Sequence, residues 1–364
     1  MKFSCTQENF SRGLNTVSHI ASKNVSLPVL NNVLITAEKG VIKLTTTNLE
    51  IGINCQVRGK IEKEGKITTQ AKLLADYVNS LPNERVDLAV EGDNLKIKCG
   101  QAQTNIKGSS VEDFPLIPKV ERKKSFSLKT GDFKKAITQV IYAAASDETR
   151  PEISGIFVKC AANEIIMAAT DSYRLAEKRV KSQKTSQSEG VIVPAKTLME
   201  LNRVLNEETE EINFFINDNQ ALFIFNGIEM VSRLIEGQYP DYQQIIPTGG
   251  KTKVEVNTQE FIKRVKTTSL FCKPGINDIS LEIKKEEIIV SASNSQLGQN
   301  VSNLTAKVEG EENSIVFNYR YLLDGLASIE TEELILELTD NASPGLIRPK
   351  GLGDYTYIIM PIRQ

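Results

Sequence analysis

A chain of 364 residues, 40% hydrophobic and 25% charged, exceeds one ordinary core and suits two or three domains of about 100 to 150 residues. No apolar run approaches the ~18 residues of a membrane span. With 44 basic against 46 acidic side chains, the net charge of −2 excludes an overall attraction to nucleic acid or anionic lipid, so any DNA-binding surface has to segregate its basic groups.

The opening "MKFSCTQENF" enters a strand pattern at once, without a basic-then-apolar leader, and this predicts a cytoplasmic protein. "KFSCTQENFSRGLNTV" reads as a short alternating strand, a Thr able to cap, and a helix whose apolar face carries Phe10 and Leu14. The single histidine, His19, falls in that helix or at its end and is expected to be a surface or packing residue. Alternating "VIKLTT" leads into "TTTNLEIG", a strand turning at a Thr-Asn pair, and "QAKLLADYVNSL" gives a second helix bearing Lys72. "DFPLIPKVERKK" then closes the unit, Pro115 fixing extended backbone ahead of a charged linker near 118–125.

The same plan follows twice more. "SFSLKTGDFKKAITQV" and "KVEVNTQEFIKRVKTT" match the first strand and helix, aligning Phe133 and Phe261 with Phe10, and Ile137 and Val265 with Leu14. "PAKTLMELNRVL" and "NYRYLLDGLASI" match the second helix, aligning Lys196 and Arg320 with Lys72 at intervals of 124. "AATDSYRL" and "SASNSQLG" repeat the turn, placing Asn48, Asp171 and Asn294 every 123 residues. A period of this size is a domain triplication rather than a solenoid. The expected fold class is α+β: three tandem domains at 1–122, 123–250 and 251–364, each with two helices packed on roughly eight antiparallel strands. "YPDYQQIIPTGGK" supplies the second linker, near 247–252.

If Phe133, Ile137, Val140 and Ile141 face the sheet, then Lys134, Lys135, Thr138 and Gln139 face away. The same reasoning turns Lys263, Arg264 and Lys266 outward in the third copy, and Lys196 and Arg203 in the second. Arg12 and Asn15 do so in the first, with Lys23 just beyond. The helices thus carry a basic bias that the whole chain lacks, suited to salt-dependent, sequence-blind phosphate contact or to an ordinary solvated face.

Catalytic chemistry finds little to stand on. No P-loop, G-x-S-x-G, dinucleotide-binding glycine pattern or H-E-x-x-H is present, and Cys5, Cys55, Cys99, Cys160 and Cys272 form no C-x-x-C pair for zinc or redox work. Asp171 is matched by Asn48 and Asn294, which argues for turn-formers accepting local backbone hydrogen bonds. No catalytic residue, metal or cofactor is expected.

"LPVLNNVLI", "RPEISGI", "ATDSYRLA", "VPAKTLMEL", "YPDYQQIIP" and the terminal "YIIMPIR", in this order over the whole chain, resemble the bacterial DNA polymerase III beta subunit family, the replication sliding clamps. The resemblance implies a non-catalytic head-to-tail homodimer, a six-domain ring with helices lining the hole. A clamp loader would close it around duplex DNA, where it tethers the replicative polymerase and other factors carrying a clamp-binding motif.

It implies a partner-peptide pocket formed by Ile153, Thr170, Ser172, Tyr173, Arg174, Leu175, Pro240, Ile245, Pro344, Ile358, Ile359, Met360, Pro361, Ile362 and Arg363. Arg side chains at its rim would meet the peptide backbone or an acidic flank. DNA-facing residues would be Lys23, Lys72, Lys134, Lys135, Arg150, Lys196, Arg203, Lys263, Arg264 and Arg320, and dimer contacts Thr104, Leu270 and Phe271. Ser172-Tyr173 departs from the Gly-His of many members, which implies a shifted peptide preference. The alternative is a peptide-binding scaffold of the same triplicated domain that does not bind DNA.

Overall fold

Capping and apolar periodicity produce six helices in the described residues of the computed structural model, which are 1–21, 27–122, 125–147, 149–161, 163–182, 189–206, 210–217 and 219–363. They are α1 (Gln7–Val17), α2 (Ala71–Asn79), α3 (Thr130–Val140), α4 (Ala195–Val204), α5 (Thr258–Ser269) and α6 (Tyr319–Ala327). Thr6 caps α1 by accepting from the Asn9 N–H, and Asn257 caps α5 by accepting from Glu260. Thr130 is instead the first residue of α3, buried, with a hydroxyl that finds no partner among the described residues.

The phenylalanines matched by the repeat, Phe10, Phe133 and Phe261, are all buried, as the periodicity predicts. One expected outward residue is not outward. Gln139 is 6% exposed because its amide donates to the Ser328 carbonyl beyond α6 at 2.7 Å, so a neighbouring helix covers what the isolated helix would leave wet.

The described residues hold twenty-six strands, all antiparallel to their neighbours, in sheets of 13, 9 and 4 strands, an α+β architecture with two helices and eight or nine strands per repeat. The chain divides into two compact units, Met1–Thr130 with Glu200–Leu234, and Gly131–Met199 with Ile235–Gln364. Within the first, the strand Ile51–Val57 pairs with Ile228–Arg233, so the second repeat continues the first repeat's sheet with Gly52 opposite Val231 and Cys55 opposite Ile228. Within the second unit, Arg174–Lys181 pairs with Tyr355–Ile359, Leu175 opposite Ile358 and Lys178 opposite Tyr355. Both junctions use the same register, and in each the edge that one repeat exposes, a row of unsatisfied N–H and C=O groups, is completed by the next repeat's last strand.

The recurring turn is built identically in the first two copies. Asn48 Oδ1 accepts from Glu50 and Ile51 N–H, and Asp171 Oδ1 accepts from Tyr173 and Arg174 N–H. Thr47 and Thr170 each accept a further N–H and donate across the turn, to the Ile51 and Arg174 carbonyls. The third copy keeps one such bond, from Gln296 N–H to Asn294 Oδ1, and closes as a hairpin pairing Asn294 with Gly298.

The tight turn forces Leu49 and Ser172 to φ 77°, the left-handed region that costs a side-chain-bearing residue about 1 kcal/mol. Leu49 is also half exposed. Leu49→Asn is therefore expected to stabilise the protein by about 0.5–1 kcal/mol, since Asn tolerates that region. A urea midpoint that rises at unchanged slope checks it; one that falls would mean that Leu49 packing outweighs the strain.

Candidate functional site

Sheet continuation in the second unit assembles one surface from distant segments. Pairing Arg174 with Ile359 brings the turn 170–175 beside the C-terminal strand, and the Met360 N–H extends the ladder by donating to the Tyr173 carbonyl at 2.8 Å. Gly345 also lies opposite Ile359, which carries Pro344 to the same end of the sheet. Leu175 and Ile358 sink into a cluster with Ala168, Tyr239 and Tyr242, anchoring the linker that bears Pro240 and Ile245. Of the expected peptide-site residues, Ile153, Thr170, Leu175, Ile358 and Ile359 are buried supports, whereas Tyr173, Ile245 and Met360 are exposed and give the surface its apolar character. Ile362 and Arg363, next along the chain, line a cavity of ≈ 420 Å³ with Ser280 and Val316 of the four-stranded sheet.

Arg174 turns away from solvent, its side chain 11% exposed. Nε donates to Asp171 Oδ2 at 2.9 Å, Nη2 to the Tyr142 carbonyl at 2.7 Å, and Nη1 to Asp324 on α6. Its guanidinium carbon sits 4.4 Å from the centre of the Tyr321 ring and 5.4 Å from that of Tyr142. Burial opposes the charge, but Asp324 and Asp171 outweigh it and raise the Arg174 pKa above its ordinary value. The guanidinium is thus a clamp between the turn, the end of α3 and α6. Outside it, Tyr173 stacks on Tyr321 with ring centres 6.4 Å apart. Asp171 therefore does more than its amide counterparts: one oxygen forms the turn and the other holds Arg174. Arg150 steadies the same turn, donating to Ser172 Oγ at 2.9 Å.

Lys72, Lys196, Lys263 and Arg320 are exposed on their helices. Lys134 and Lys135 are half-buried on α3, and Lys135 pairs with Glu330 at 2.6 Å. Arg264 is half-buried, and its Nε finds no partner among the described residues. Arg203 reaches the C-terminal end of α1, donating to the Asn15 and Thr16 carbonyls at 3.2 and 2.9 Å while pairing with Glu200. Glu200 also meets His19 Nδ1 at 2.6 Å, so the lone histidine is a junction residue. Lys23 lies outside the described residues. Thr104 is half-buried opposite Ile97, and Leu270, at the end of α5, is 71% exposed beside half-buried Phe271.

Profiles of the DNA polymerase III beta subunit match in three consecutive parts: its N-terminal domain over residues 1–118, its central domain over 127–241 and its C-terminal domain over 243–363. The chain belongs to the DNA polymerase III beta subunit family. The beta sliding clamp of Staphylococcus epidermidis is 30% identical over 100% of this chain and 99% of its own. The crystal structure of the Bacillus subtilis DNA polymerase sliding clamp has 30% identity and a TM-score of 0.96, covering 100% of this chain and 99% of that one. A Pseudomonas aeruginosa sliding clamp, solved bound to griselimycin, has 28% identity and a TM-score of 0.96 with both chains fully covered.

As a DNA polymerase III beta subunit, the chain is a beta sliding clamp, a non-catalytic subunit whose work is processivity. No group of three or more His, Cys, Asp or Glu placed to hold a metal ion exists among the described residues, and no helix there is long and apolar enough to cross a membrane. All five cysteines are buried, and burial pushes Cys5 up to about 12 and Cys55 and Cys272 to about 11.

Sequence reasoning missed Tyr142, Tyr321 and Asp324, the residues that hold Arg174. A signal was present: Asp76, Glu200 and Asp324 recur at intervals of 124, and His19, Tyr142 and Leu270 occupy one position just past the first helix in each copy. Glu200 holds His19 at one junction and Asp324 holds Arg174 at the other, so the recurring acid marks the seams of a clamp.

Proposed function

We propose that two copies of the chain close head to tail into a six-domain ring around duplex DNA. The observation that carries this is a pair of half-junctions left open. The strand Gly298–Thr305 holds the position that Ile51–Val57 and Arg174–Lys181 hold in their repeats, yet it is a sheet edge, with Val301 58% exposed. At the other end of the chain, no strand among the described residues pairs the far side of residues 102–107 in Ala102–Ser109, the counterpart of Ile228–Arg233 and Tyr355–Ile359. Side chains tell the same story: His19 and Tyr142 are engaged at their junctions, whereas Leu270 is bare. Leu73 on α2 is 50% exposed, while its counterpart Thr197 is 1% exposed. A third junction between copies, repeated by symmetry, pairs these edges and seats Leu270 and Phe271 near Leu73 and Thr104, closing a ring because each chain supplies one of each half.

Lys72, Lys134, Lys135, Lys196, Lys263, Arg264 and Arg320 then face the enclosed duplex with Arg150 and Arg203 nearby, giving many weak, sequence-blind phosphate contacts that permit sliding. A clamp loader opens the ring, and the exposed surface of Tyr173, Ile245 and Met360, with Pro344 and Pro361, takes the apolar anchors of a polymerase's or repair factor's peptide in the cytoplasm. Arg174 supports that surface from behind.

Loading on a nicked circular DNA tests this. The protein is expected to remain on the circle at salt that strips it from linear DNA, and to leave once the circle is cut. Equal retention on both forms would instead favour the scaffold that does not bind DNA.

A further inference from the structure

The junctions are alike in register but differently filled. In the second unit, the linker inserts Tyr239 and Tyr242 over the sheet. Tyr239 stacks on Phe157 at 5.1 Å, and the Tyr242 hydroxyl donates to buried Glu177 at 2.6 Å. In the first unit the counterparts of these four residues are smaller or less polar. Leu34 stands for Phe157 and Asn54 for Glu177, as the strand registers fix: Leu34 pairs with Thr45 and Phe157 with Ala168, Thr45 with Asn54 and Ala168 with Glu177. The linker's Phe114-Pro115 corresponds to Tyr239-Pro240, which aligns Ile117 with Tyr242.

Ile117 packs directly over Gly52, where an added Cβ would lie 2.7 Å from its Cδ1, so the linker is seated as its counterpart is. It does not fill the space. A cavity of ≈ 540 Å³ remains, lined among others by Leu34, Thr45, Asn54, Ile117 and Val231. No function assigned above uses it.

Charge and exposure give this cavity a direction. Lys43, Lys66, Lys119 and Arg122 line it against only Glu38 and Glu229. Lys66 is matched with Glu38 at 3.2 Å and Arg122 with Glu229 at 2.6 Å, which leaves Lys43 and Lys119 without an ion pair among the described residues. At the rim Leu116 is 95% exposed between Pro115 and Pro118, whose fixed φ angles restrict the backbone that presents it. An aliphatic side chain held in water beside a cationic apolar cavity is the arrangement of a peptide-docking groove.

We propose that this cavity is a second docking site on the clamp, and that its occupant is a short extended peptide with a tyrosine anchor beside an acidic residue. The chain itself displays the chemistry in its own second linker, "QYPDYQQI", whose tyrosines occupy the equivalent place. The anchor's ring fills the void beside Leu34 and Val231, its hydroxyl reaches Asn54 as Tyr242 reaches Glu177, and the acid meets Lys43 and Lys119. Ring closure and the peptide surface of the second unit are not required for it.

The probe is a fluorescein-labelled synthetic peptide of sequence QYPDYQQI, titrated into the full-length protein and followed by polarisation. Saturable binding is expected, weakened at least tenfold by Ile117→Tyr, which fills the cavity from within, and about tenfold by Lys43→Glu with Lys119→Glu. Lys119→Glu alone changes an exposed residue and separates loss of charge from loss of fold. A benzophenone in place of the second tyrosine should crosslink to residues 34–66 or 111–122. No saturable binding at millimolar probe, binding indifferent to Ile117→Tyr, or crosslinks confined to residues 170–175 or 358–363 would each overturn the proposal.

Discussion

Leu270→Asp is expected to leave the folded chain intact and split the proposed dimer. Leu270 is 71% exposed in the single chain, so aspartate costs the monomer little. In the closed ring the same position is seated on the partner, and burying a leucine there contributes about 2 kcal/mol. A head-to-tail dimer contains that seat twice, so the loss is about 4 kcal/mol per ring, close to a thousandfold in dissociation constant. A buried carboxylate without a cation adds to this.

Sedimentation over a dilution series reads the effect directly. Leu73→Asp, on the opposite half-junction, should give the same shift. A wild-type chain that is monomeric at micromolar concentration, or a Leu270→Asp chain that dimerises unchanged, would remove the ring from consideration.

Arg174→Ala carries the second large effect. It removes three donors at once, leaves buried Asp171 Oδ2 and the half-exposed Asp324 carboxylate without their cation, and takes that cation from beside two tyrosine rings. Deleting one member of a buried pair costs about 3–5 kcal/mol, and the half-exposed Asp324 end of this network brings the expected loss toward the lower figure. Arg174→Lys restores little, because an ammonium cannot present donors in the planar fork that meets two carboxylates and a carbonyl together.

Urea unfolding measures the loss, and a double-mutant cycle with Asp324→Asn isolates the coupling between the turn and α6. A cost below about 1 kcal/mol would mean that the guanidinium is free to serve an incoming peptide as a rim residue. The large cost expected here makes Arg174 a structural clamp on which the Tyr173–Tyr321 stack rests.

The charge reading shows where periodicity stops being informative. Lys196 and Lys263 were legible as exposed cations because a helix with a buried apolar stripe must turn its polar side chains outward. Arg203 obeyed that rule in direction but not in partner: it spends its donors on the end of α1, which no spacing within its own segment could foretell. Gln139 broke the rule because α3 has a helical neighbour as well as a sheet, and a stripe calculation assumes one buried face.

By itself the sequence determined that one α+β unit is said three times, that Asn48, Asp171 and Asn294 form the turn ending a strand, and that the buried faces carry matched aromatic and aliphatic residues. These follow from local backbone chemistry and from periods of 2 and 3.6, which need no knowledge of neighbours. Tertiary structure alone decided what each copy does with the turn. Sheet pairing across repeat boundaries made Arg174 a clamp and Glu200 a partner for His19. It also left Leu270 and the strand Gly298–Thr305 with edges to offer, because which copy comes next in space is a property of the assembled chain and not of any segment in it.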